Sequence, residues 1–136
     1  MCTSFKGELL NGTHLIKTTS GDTFKMALYT NSATLDATTT AYTATGETSG
    51  TNYTAAGNSM TNIDPLTSGT TGYVQWSNVT FSTVSITARG ALIYNSSKSN
   101  KAVCVLDFGA DKTATAGDFV VTMPTNSSST ALIRIA

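Results

Sequence analysis

Residues 84–109, VSITARGALIYNSSKSNKAVCVLDFG, alternate so regularly that they leave this chain little choice of architecture. Val84, Ile86, Ala88, Gly90, Leu92 and Tyr94 fall on one side, with Ser85, Thr87, Arg89 and Ala91 on the other. A polar turn follows, Asn95 to Asn100, and the pattern resumes. Ala102, Cys104, Leu106 and Phe108 point one way; Val103, Val105 and Asp107 point the other. Side chains of an extended strand alternate faces with period 2, so the stretch predicts a β-hairpin packed on a core. The run Gly109-Ala110-Asp111-Lys112 is expected to close it.

The rest of the chain fits around that hairpin as one domain of 136 residues. Residues 1–20 are expected to form an N-terminal arm or short helix. Phe5 and Leu9 sit at helical spacing over Thr3–Asn11, Ser4 is placed to cap, and Gly12 is placed to stop the helix. The alternative is an extended arm lying on a neighbouring subunit. Phe24, Met26 and Leu28 alternate with Lys25, Ala27 and Tyr29 as a strand. Residues 31–72 are rich in Thr and Gly and poor in aliphatics, and Leu35, Tyr42 and Tyr53 are spaced as anchors for a long extended excursion. Within it, Ala41–Thr48 and Asn52–Ala55 read as short strands. Residues 73–136 read as the packed β-body. Strand character returns over Tyr73–Phe81, Phe119, Val121 and Met123 share a face up to Pro124, and Ala131, Ile133 and Ile135 are expected inward in the last strand. Short strands at 8–12-residue intervals predict an all-β fold, an antiparallel β-sandwich or barrel-like domain.

Composition narrows the function more by exclusion than by signal. Charged residues are 12% of the chain against about 25% in an average protein, and about three residues in ten are Ser or Thr. The formal net charge is zero and the eight Lys and Arg are scattered, which argues against nucleic acid as a partner. No apolar run approaches the ~20 residues needed to cross a bilayer, so a soluble protein with no membrane partner is expected, and no signal peptide is read at the N-terminus. Cys2 and Cys104 are expected as reduced thiols.

Reactive constellations are missing. One His, His14, and two separated Cys make no metal site; Asp107 and Asp111 flank a glycine turn but lack the alternating oxygen ligands of a calcium loop. Asp107-Phe108-Gly109 spells a kinase motif without the phosphate loop or catalytic lysine that would give it meaning. No nucleophile elbow is present, and Glu8 and Glu47 are the only glutamates, in turn-like or terminal segments. The expectation is a protein without catalysis, metal or cofactor. Tyr29, Tyr42, Tyr53, Tyr73 and Trp76 read as core or subunit-contact aromatics, with a sugar-stacking platform as the competing reading.

Several segments taken in order resemble a known group. They are the short amphipathic N-terminus, DTFKMALYT (Asp22–Thr30), GETSGTNYTAAG (Gly46–Gly57), the Trp76 strand, ARGALIYN (Ala88–Asn95) and VCVLDFG (Val103–Gly109). This order is similar to small virion structural proteins of tailed bacteriophages, of the capsid decoration or cement kind. The resemblance implies a non-enzymatic particle component, often a homotrimer, made in the host bacterial cytoplasm and located on the capsid surface. Its implied partners are copies of itself and the major capsid protein or another virion protein. A neck or tail component and a carbohydrate-binding β-module are the alternatives. Apolar alternation is dense after residue 73 and sparse before it, so Phe5, Leu9, Leu35, Tyr42 and Tyr53 are expected at the protein interface.

Overall fold

The computed structural model describes residues 1–136. Its elements are α1 (Thr3–Leu10), β1 (Phe24–Tyr29), β2 (Asn58–Ser59), β3 (Leu66–Ser68), β4 (Thr71–Val74), β5 (Val79–Asn95), β6 (Lys101–Val121) and β7 (Ile133–Ile135). The protein is mostly β, with two antiparallel sheets and one short helix. One sheet has the order β2-β1-β5-β6 and the other β3-β4-β7, and neither closes into a barrel.

The hairpin is longer than its sequence pattern predicts. At about 3.3 Å per residue, β6 runs for roughly 70 Å and does not close at Gly109–Lys112. Residues 108–111 instead form a bulge. Gly90 pairs with Asp107 and Ala88 with Lys112, so Arg89 alone faces residues 108–111. Asp107 accepts from the Gly109 N–H (2.8 Å) and from Arg89 Nε (3.3 Å), which holds the loop-out without ending the strand.

The main sheet is covered on both faces near the hairpin turn. Phe24, Met26 and Leu28 share a face with their partners Asn95, Ile93 and Ala91. On that face Phe24 packs on Trp76 (ring centroids 5.1 Å) and His14 packs on Phe5 of α1 (4.8 Å). Tyr94 points to the opposite face and stacks on Tyr42 (5.0 Å), which belongs to the Thr-rich excursion. Ala91, Leu92, Ile93 and Tyr94 are therefore all buried, whichever way they point.

Residues 31–57 lie over the sheet as extended chain fastened by single bridges, Tyr29–Glu47, Ala41–Lys101 and Thr51–Ser85, so the strands expected at Ala41–Thr48 and Asn52–Ala55 do not form. The crossing is tight. At Gly57 (φ +69) a Cβ would sit 1.8 Å from the Met26 carbonyl oxygen.

Helix α1 departs from expectation at its start and agrees at its end. Ser4 does not cap. The N-cap is Cys2, in extended conformation, and Ser4 lies inside the helix with its hydroxyl unpartnered. The Cys2 N–H donates to the Val103 carbonyl (2.9 Å) and the Thr3 N–H to the Ala37 carbonyl (2.8 Å), so backbone partners fix the entry instead. At the other end Gly12 (φ +70) donates to Leu9 O and Thr13 to Glu8 O, the paired bonds of a Schellman stop. In the last strand Ala131 and Ile133 are buried as expected, whereas Ile135 is 56% exposed. Strand β7 is the edge of the small sheet, and no element of the chain lies beyond it.

Candidate functional surfaces

Three polar clusters hold most of the groups capable of chemistry, and each is satisfied from within. The first is built on Glu47, which the excursion carries over the end of β1. Glu47 Oε2 accepts from the Tyr42 hydroxyl (2.6 Å), and Oε1 accepts from the Tyr53 hydroxyl and the Ala56 N–H (2.8 Å each). The Tyr53 oxygen in turn accepts from the Leu28 N–H (2.9 Å). Tyr29 donates to Thr43 O and Tyr94 to Ala56 O. Burial, reinforced by the Glu47 charge, pushes the Tyr42 and Tyr94 phenols up to about 12. Burial drives Tyr29 and Tyr53 higher still, and at Tyr53 the Leu28 N–H offsets only part of that rise. All four phenols stay protonated donors, so none of them serves as a base or a nucleophile.

The second cluster joins α1 to the hairpin turn. His14 has a fully buried side chain; its Nε2 meets Glu8 Oε2 at 2.8 Å and its Nδ1 meets Asn95 Nδ2 at 2.9 Å. The Asn95 amide is oriented by its other bonds. Its oxygen accepts from the Ser97 N–H, and its nitrogen donates to Asp22 Oδ2 (2.8 Å). His14 Nδ1 is therefore the acceptor and Nε2–H the donor to Glu8. Lys101 closes one end on Glu8 Oε1 (2.6 Å) and Lys98 lies 3.7 Å from Asp22 at the other. Burial raises the Glu8 carboxyl, but hydrogen bonds from Lys101 and His14 outweigh it and hold the group below its ordinary 4.5. Asp22 behaves alike: burial raises it, and bonds from the Leu15 N–H and Asn95 bring it below 3.8.

The third cluster sits at the β6 bulge. Asp107 and Asp111, the pair with a calcium-like spacing, both face the Arg89 guanidinium (3.3 and 3.9 Å), which occupies the cation position between them. No group of three or more His, Cys, Asp or Glu side chains is arranged so that it could hold a metal ion.

The five expected contact residues pack against the domain's own core. Phe5 is completely buried, while Leu9, Leu35, Tyr42 and Tyr53 are half-buried on the same apolar cluster. Trp76 is also fully buried, with Nε1 donating to Asn62 Oδ1 (2.9 Å), so it offers no ring face to a sugar.

The surface left open meets the expected contact residues at Leu9, which lines one of its grooves, and is otherwise made by residues the sequence pattern does not single out. Leu10 (87% exposed), Leu15, Leu66, Val120 and Ile135 are large apolar side chains facing outward. Leu15, Leu66 and Ile135 line one apolar groove of about 350 Å³ between the small sheet and the segment after α1. A second, of about 610 Å³, follows the far half of β6 past Leu106, Phe108, Phe119, Val121, Met123 and Leu132. That strand is also the free edge of the main sheet. Near the turn its outer side is covered, with Ala102 donating to Thr40 O and Cys2 to Val103 O. From Val105 to Val121 its main chain hydrogen-bonds to no strand or loop other than β5.

Comparison with protein-family models, with curated proteins and with solved structures gave no match.

Proposed function

We propose that the protein is a non-enzymatic virion component of a tailed bacteriophage, of the decoration or cement kind. In this reading it binds the assembled shell through protein–protein contacts, with its two sheets acting as the layers of a sandwich. The observation that carries the reading is where unsatisfied surface lies. Glu47, His14 and the Asp107–Asp111 pair are occupied by internal partners. The unfilled valences are instead a long β-edge, two apolar grooves and a weakly charged, hydroxyl-rich exterior. Such features suit addition of a strand or burial against a neighbour. The order of segments that resembles the decoration proteins supports the same reading.

A cement protein stabilises a lattice because it binds the assembled form in preference to loose subunits, and many weak contacts reinforce one another. The homotrimer and the capsid-surface location belong to this proposal. Copy number in purified particles tests it. A decoration protein approaches the number of shell sites, whereas a handful of copies per particle would move it to the neck or tail. Absence from particles altogether would overturn the virion reading.

A further inference from the structure

Cys2 and Cys104 lie far apart in sequence and side by side in the fold. The Cys2 N–H donates to the carbonyl of Val103, the residue before Cys104, at 2.9 Å. A backbone bond of that length sets the donor Cα and the Cα following the acceptor roughly 5–6.5 Å apart, inside the window of about 4.4–6.8 Å that a disulfide spans. Facing agrees with distance. Cys104 pairs with Ile93 and Ile93 with Met26, which puts Cys104 on the sheet face shared with Phe24, the face that α1 covers. Both thiols are free, both are buried, and both belong to one apolar cluster.

We propose that Cys2 and Cys104 close an intramolecular disulfide under a disulfide oxidant, stapling the start of α1 to β6. The thiolate of one cysteine attacks oxidised glutathione and expels one glutathione thiol, leaving a mixed disulfide. The second cysteine then attacks the protein sulfur and expels the other glutathione. Two cysteine thiols lose two electrons, glutathione disulfide gains them, and both protons end on glutathione thiols. Burial raises both thiols, that of Cys104 up to about 12, so the closed protein reacts slowly. Reaction waits on opening of the first turn of α1, which has no side-chain cap. The staple is independent of the virion reading.

The test is to incubate the folded protein with oxidised glutathione at neutral pH, followed by intact mass, thiol counting and non-reducing peptide mapping. The expected result is loss of both thiols with no added glutathione mass and a Cys2–Cys104 linked peptide. The Tm should rise by several degrees, reversibly on reduction, and the rise should be absent in Cys2→Ser and Cys104→Ser. Stable glutathione adducts, chain-to-chain dimers, two intact thiols after prolonged oxidation, or a link that forms only in urea would each overturn the proposal.

Discussion

Glu47 meets three donors, from Tyr42, Tyr53 and the Ala56 N–H, and exchanges solvent for all of them at once. Hydrogen bonds to a charged acceptor contribute about 1.5–3 kcal/mol each, though neighbours in one network are not additive. Glu47→Gln keeps the shape and removes the charge, so a loss of about 2 kcal/mol is expected from urea unfolding at neutral pH. The same substitution should bring the Tyr42 phenol down from about 12 in an ultraviolet titration, because the hydrogen bond and charge of Glu47 both help hold it up. An unchanged Tyr42 titration would mean that the carboxylate does not organise the cluster. The tyrosines were legible in the sequence as anchors, but their common partner was not. Glu47 lies five residues from Tyr42 and six from Tyr53, one odd and one even spacing, so no single strand or helix period puts both tyrosines on its side.

Helix α1 contributes to the domain as core and as one end of a polar network. Phe5 is fully buried, so Phe5→Ala should cost about 3–5 kcal/mol. Removal of residues 2–11 should abolish cooperative thermal unfolding; a folded, truncated protein would show instead that α1 is dispensable. The Glu8 and Asp22 carboxyls give this dock a pH dependence of definite sign. Both are lower in the folded protein than their ordinary 4.5 and 3.8. Their stabilisation is thus complete above about pH 4.5 and disappears as the pH falls through the depressed folded values. Acid titration of wild type beside Glu8→Gln should show a shallower loss in the variant over that range. The ribbon shows where periodicity stops informing. Period 2 identified both strands, yet a glycine followed by charged residues reads equally as a turn or a bulge. Arg89, reaching across to Asp107 and Asp111, favours the bulge, and that choice needs both strands in place.

For the molecule as a whole the proposed contact with partners centres on β6. Its outer edge is bare over residues 105–121, beside an apolar groove and with Val120 half exposed. The bulge and the charges of Asp107, Asp111, Lys112 and Asp118 break up the edge, as natural sheets do where pairing must be selective. Val120→Lys places a charge on an exposed position and should leave Tm within about a degree of wild type, since surface changes of this kind cost little. If β6 is the contact strand, the variant should lose self-association in sedimentation velocity or occupancy on particles. Full retention of both would move the contact to the groove lined by Leu15, Leu66 and Ile135.

By itself the sequence determined the β class, the strands at Phe24–Tyr29 and along the hairpin, and the stop after α1, because these rest on alternation and on glycine, which act between near neighbours. The tertiary structure decided the rest. It buried Phe5 instead of presenting it, fixed the helix start through Val103 and Ala37 carbonyls instead of Ser4, and gathered Glu47 with its tyrosines. Those outcomes depend on groups separated by tens of residues competing for the same donor, face or cavity, and no local pattern records who wins that competition.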